Sequence, residues 1–128
     1  MTPDQLNALS NRIIAGALAV HSELGPGLLE STYEACLAYE LAERGLKVEQ
    51  QKQLSLAYKG LRVDQAYRLD LLVEDELIVE IKAVDELVGI HKAQLLTYLK
   101  LSGLRLGLLI NFNVQLLKNG IQRVVRNL

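Results

Sequence analysis

The chain has 128 residues, a formal net charge of −1 and hydrophobic residues at 50 % of its positions. It is expected to fold as a single domain over residues 1–128 with a real core, and its near-neutral balance excludes a uniformly basic surface. One cysteine, Cys36, excludes an internal disulfide and fits a reducing, cytoplasmic setting.

No basic stretch leads into an apolar one at the N-terminus, so no secretory signal is expected. The apolar run Ile13–Val20 is too short to cross a bilayer. Leu6, Leu9, Ile13, Ala17, Val20 and Leu24 recur at helical spacing and predict an amphipathic helix of about five turns. Gly25-Pro26-Gly27 breaks it. A second helix is expected from about Leu28 to Arg44, with Tyr33, Leu37 and Leu41 inward and Gly45 at its C-terminal cap.

Strands follow. Alternation predicts one over Val48–Tyr58, with a turn at Lys59-Gly60. Leu61–Val73 and Leu77–Val84 then form a hairpin around the loop Glu74–Glu76. Ile90–Leu101 returns to helical spacing and ends at Gly103. Leu104–Phe112 is a continuous apolar run, as in a strand covered on both faces, and Asn111 and Asn113 close it. Ile121–Val125 is the last expected strand. The order α-α-β-β-β-α-β-β implies an α/β fold with a mixed central sheet flanked by helices.

Charge is distributed unevenly. No acid follows Glu86, whereas Lys92, Lys100, Arg105, Lys118, Arg123 and Arg126 do. That basic third either attracts phosphates or is the chance end of a neutral chain, and charge alone leaves both open.

The hairpin carries the sharper signal. With Val73 facing Leu77, Leu71 faces Val79, Asp70 faces Glu80 and Arg68 faces Lys82. Alternation puts Arg68, Asp70, Glu80 and Lys82 on one face, and Leu69, Leu71, Val73, Leu77, Val79 and Ile81 on the other. Directly opposed carboxylates repel unless one is protonated or a cation lies between them, and magnesium suits two such oxygen donors. A solvated face neutralised by Arg68 and Lys82 would also account for the pattern. Leu72 and Ile78 share that face, however, so it is partly covered, which favours a metal site.

In the following helix, Gln94 and Tyr98 stand one turn apart on one side, with His91 nearby. An amide and a phenol can orient a phosphate or a water, although the pair alone is a weak pattern. Glu30 in the first turn of a helix and His21 near the end of another suit their helix dipoles without any further role. Two histidines and one cysteine make a structural zinc site improbable, and there is no glycine-rich phosphate loop or serine-nucleophile motif.

Asp70, then Glu80-Ile81-Lys82, then Gln94-Leu-Leu-Thr-Tyr98 resembles the PD-(D/E)XK nuclease superfamily, whose restriction-endonuclease-like core runs α-β-β-β-α-β. Gly27-Leu-Leu-Glu30-Ser-Thr-Tyr33 is similar to the motif that names its GxxExxY family. The resemblance is nearly full length, and Leu69 stands where the superfamily often has proline. It implies a Mg²⁺-dependent phosphodiesterase acting on nucleic acid, with DNA the expected substrate and Mn²⁺ able to substitute. By the same resemblance, Asp70, Glu80 and the Ile81 carbonyl would hold the metal, and Lys82 would activate water and offset charge on the phosphate. Gln94 and Tyr98 would position the strand and the metal-site water, with Glu30 a further ligand or acceptor. A non-catalytic nucleic-acid-binding or assembly module retaining the fold is the alternative. A homodimer that joins two basic C-terminal thirds is compatible with either.

Overall fold

The computed structural model describes all residues, 1–128. Helix α1 spans Pro3–Leu24 and opens on a reciprocal cap: the Thr2 hydroxyl accepts the Gln5 N–H, and the Gln5 side chain accepts the Thr2 N–H. Leu6, Leu9, Ile13, Ala17 and Val20 are buried as the spacing required, while Leu24 is 37 % exposed. Helix α2 spans Glu30–Glu43, starting two residues later than expected. It ends in a Schellman turn, in which Gly45 donates to Ala42, Leu46 donates to Leu41 and Gly45 takes φ 86°.

The Gly25-Pro26-Gly27 break is held by the second helix itself. The Tyr33 hydroxyl donates to the Gly25 carbonyl at 2.6 Å and accepts the Leu28 N–H at 3.1 Å. Glycine is required at positions 25 and 27, where φ is 70° and 100°.

Strands β1 (Val48–Tyr58), β2 (Leu61–Val73), β3 (Leu77–Lys82), β4 (Leu106–Asn111) and β5 (Ile121–Val125) form one sheet in that spatial order. Only β3 and β4 are parallel, and helix α3 (Gly89–Ser102) makes their crossover. The sheet is therefore mixed, as the element order implied, with two helices on one face and one on the other, the restriction-endonuclease-like arrangement that the resemblance implied. β3 ends at Lys82, two residues short of the expected Val84, and β4 is shorter at both ends than the apolar run. A single 3₁₀ turn, Leu117–Gly120, precedes β5 without a periodicity to announce it.

Two cores sandwich the sheet. Under α1 and α2 lie Leu71, Val73, Leu77, Val79, Ile81, Leu106, Leu108, Ile110 and Phe112. Under α3 lie Leu69, Leu72, Ile78, Leu109 and Val124, met by Leu95 and Leu99. Burying one such side chain fully contributes roughly 1.5–3 kcal/mol, so each layer is held mainly by its apolar contacts. α3 approaches closely because Gly107 has no side chain: a Cβ there would stand 2.8 Å from Leu95 Cδ1.

One expectation is corrected. Leu69 does not share a face with Leu71; it packs under α3 with Leu72 and Ile78. The β1–β2 pairing runs Gln50↔Leu71 and Lys52↔Leu69 but skips Gln51 and Asp70, and Gln51 takes φ 53°. The strand turns over at Asp70, and simple alternation fails across it.

Candidate metal and phosphate site

The hairpin register is as expected from Val73↔Leu77 to Leu71↔Val79, and there the backbone ladder stops. Beyond it, carboxylates take over. Asp70 Oδ2 accepts the Ile81 N–H at 2.8 Å, and Glu80 Oε2 accepts the Asp70 N–H at 3.4 Å. The two acids do meet, but over the Asp70 and Ile81 amides: each amide left by the opened ladder needs an acceptor, and a carboxylate from the facing strand supplies it. The expected pairing of Arg68 with Lys82 is absent: Arg68 faces Gln53 in β1.

Glu80 points to the α3 side of the sheet and is only 3 % exposed. Burial, then the hydrogen bond and charge of neighbouring Asp70, push its pKa up to about 9, against the Asp70 N–H and the Lys82 ammonium. Glu80 Oε1 is buried without any hydrogen-bond partner. Such an oxygen costs about 1–3 kcal/mol when left unmade, and more if charged. Lys82, half-buried on the same strand, forms no ion pair with either acid.

Tyr98 borders this pair. Burial raises its phenol pKa first, and the charges of Glu80 and Asp70 raise it further, while Arg68 opposes them. Its ring lies 5.2 Å from that of Tyr67. Gln94 is exposed one turn earlier on α3, on the same helical side. The structure therefore gathers Asp70, Glu80, Lys82 and Tyr98, with Gln94 adjacent on the helix.

Glu30 is different. It stands exposed in the first turn of α2 and makes no hydrogen bond to any of these residues. The carboxylate that reaches toward Asp70 is Glu34, one helical turn on. It accepts from Gln50 Nε2 at 3.2 Å and from Gln51 Nε2, which also lies 3.5 Å from Asp70 Oδ1. Glu34 follows Tyr33 of the quoted motif and shares a helical side with Glu30, a signal that could have marked it. Gln51 carried none. His21 is buried, its Nε2–H donating to the Val114 carbonyl at 2.8 Å, and His91 Nδ1 accepts the Val88 N–H at the start of α3. Both histidines serve the scaffold.

Asn111 does more than end a strand, the role its position implied. It is 2 % exposed, and its amide grips Val84 from both sides: Nδ2 donates to Val84 O at 2.9 Å, and Oδ1 accepts Val84 N–H at 3.1 Å. Phe112 N–H donates to Lys82 O at 2.9 Å. The chain leaving Lys82 is thus held to β4 after the regular ladder ends.

The donor set fits a small divalent cation. Two adjacent carboxylates, one with a buried free oxygen, present hard oxygen ligands beside solvent-accessible Asp70. No group of three or more His, Cys, Asp or Glu side chains is assembled, so a cage made wholly of protein side chains is not available. Magnesium commonly retains several waters and needs only one or two carboxylates.

No helix is long and apolar enough to cross a membrane. No curated protein and no solved structure matches the chain. The family model described as the PD-(D/E)XK nuclease superfamily matches residues 7–124, which takes in every helix and strand except the first four residues of α1 and the last residue of β5. Nucleases of that superfamily act on nucleic acid and generally use divalent metal ions. With acid, acid and lysine in order on β2 and β3 and a helix crossing to β4, the chain belongs to the PD-(D/E)XK nuclease superfamily.

Proposed function

We propose that this protein is a Mg²⁺-dependent nuclease that hydrolyses phosphodiester bonds in DNA, with Asp70 and Glu80 as metal ligands and Lys82 as the group acting on water. The observation that carries this reading is the partnerless Glu80 Oε1 beside Asp70, near a lysine that forms an ion pair with neither acid. In an inert ion cluster the lysine would be spent on the carboxylates.

A magnesium ion held there, with the Ile81 carbonyl as a further oxygen donor, would lower the pKa of water and offset phosphoryl charge. Lys82 Nζ would take a proton from the attacking water, or as a cation balance charge on the phosphate. As the water oxygen bonds to phosphorus, the bond from phosphorus to the leaving sugar oxygen would break, and that oxygen would take a proton from a solvent water to leave as the hydroxyl. Gln94 and Tyr98 would orient the phosphate from α3, with Glu30 and Glu34 acting from the α2 side, Glu34 through Gln51.

Calorimetry with Mg²⁺ and Mn²⁺, together with cleavage of a labelled DNA duplex, tests the proposal. Asp70→Ala should abolish metal binding, keep the fold by circular dichroism and lower cleavage by about 10²–10³ or more. A folded wild-type chain that binds neither ion and cuts no DNA would refute it.

A further inference from the structure

Strands β1 and β2 are much longer than the sheet needs. β3 pairs with β2 only at Leu71–Val73, yet β1 and β2 continue together to a two-residue turn at Lys59-Gly60, where φ is 47° and 84°. Residues 57–65 are all exposed. Their strand conformation thus owes little to a core. Gly60 lies ten residues before Asp70, so at about 3.3 Å per residue the ribbon reaches roughly 30 Å from the acid pair.

At its base Leu54 and Tyr67 pack against the α3 core. Along the ribbon Gln53 opposes Arg68 and, past the bulge, Ala57 opposes Arg62, with Ser55 between them in β1, all but Ala57 polar and all exposed. A bulge in β2, where Leu54↔Tyr67 gives way to Leu56↔Val63 and Gln65 takes φ 52°, adds twist to the ribbon. Residues 50–69 contain Lys52, Lys59, Arg62 and Arg68 against one acid, Asp64, although the whole chain is net −1; Lys52 is paired with Glu49 and Arg62 with Asp64, while Lys59 and Arg68 form no ion pair. Lys100 of α3 lines a recess with Arg62 and Ser55.

We infer that the β1–β2 ribbon is a substrate arm that lies in the major groove of B-form DNA and leads the duplex to the Asp70–Glu80 pair. This rests on the nuclease reading for its purpose. The chemistry is complementary: Lys59 and Arg68, joined by Arg62 from its exposed pair with Asp64, meet phosphates, and exposed Gln53 and Ser55 meet base edges. A two-stranded ribbon fits the B-form major groove, whereas the deep, narrow groove of duplex RNA excludes it. The reach corresponds to roughly nine base pairs at about 3.4 Å each.

Fluorescence anisotropy of the full chain with a labelled 20-base-pair DNA duplex, in EDTA and across a salt series, tests this. Lys59→Ala and Arg62→Ala should each weaken binding about eightfold at 0.1 M salt. Each should also lower the log–log salt slope by about 0.9, because one phosphate is no longer neutralised. Asp64→Asn, which frees Arg62 from its ion pair, should tighten binding. Lys118→Ala, outside the arm, should change nothing, and an RNA duplex of the same sequence should bind more weakly. Thermal melts should match the wild type, because the altered residues are exposed.

Absence of duplex binding, unchanged affinity in both cation variants, or equal binding of RNA would overturn the arm. The nuclease reading fails separately. If Mn²⁺ binding and cleavage are absent while duplex binding still depends on Lys59 and Arg62, only that reading is lost. If the protein binds Mn²⁺ and cuts DNA, but the arm variants keep the wild-type KM, only the arm is lost.

Discussion

Glu80 sits where water cannot solvate its charge, and this sets how metal-free protein should respond to pH. Its carboxyl titrates near 4.5 when unfolded and is pushed up to about 9 by burial and by Asp70 when folded. The folded state therefore holds the proton more tightly, and the stability this contributes is complete below about pH 4.5 and lost as pH rises toward 9. Metal-free protein should melt at progressively lower temperature from about pH 5 to 8.5, and Glu80→Gln should flatten that slope. Tyr33→Phe tests a second residue. It removes the hydroxyl that holds Gly25 and Leu28 and should cost about 1–3 kcal/mol in a urea titration, partly because buried backbone groups lose a partner. Asp70, Glu80 and Lys82 were visible in the sequence because charge inside apolar strands stands out. Gln51 and Asn111 were not, and Glu34 was marked only by sharing a helical side with Glu30. Their importance lies in partners 16 to 27 positions distant, and a lone amide carries no periodic signal.

Among the elements, α3 is placed by what β4 leaves out. Gly107→Ala would drive a Cβ into Leu95 at 2.8–3.0 Å from three of its side-chain carbons. It should cost about 1–3 kcal/mol in chemical denaturation and shift Tyr98 away from the acids, weakening Mn²⁺-dependent cleavage as well as stability. Asn111→Ala separates local from global effects. The Val84 amide and carbonyl would lose their side-chain partners, so amide exchange should accelerate in residues 83–88 well before it does in β3. Helix and strand positions were largely legible, since glycine and proline breaks and apolar periods mark them directly. Leu69 was misplaced because alternation counts only while the backbone stays regular. At Asp70 the ladder opens, and the side chains on its two sides no longer keep one parity.

At the scale of the whole molecule, two apolar cores grip a five-stranded sheet while the β1–β2 tip stands clear of both. Shortening that tip, by joining Ser55 to Ala66 through Asn-Gly, should leave the melting temperature within a few degrees of wild type, because no core side chain is removed. A large loss of stability would show instead that the ribbon helps to hold the domain together. Element order, the central buried strand and the hairpin register from its loop to Leu71 and Val79 followed from sequence because local propensity, turn chemistry and apolar spacing act over a few residues. So did the family resemblance, whose motif order the fold reproduces. Tertiary structure alone decided which sheet face each helix covers, that Glu80 accepts the Asp70 amide while Asp70 accepts that of Ile81, and that Glu34 and Asn111 buttress their neighbourhood. Those outcomes depend on desolvation and on hydrogen bonds between segments far apart in the chain, which become defined only once the layers have packed.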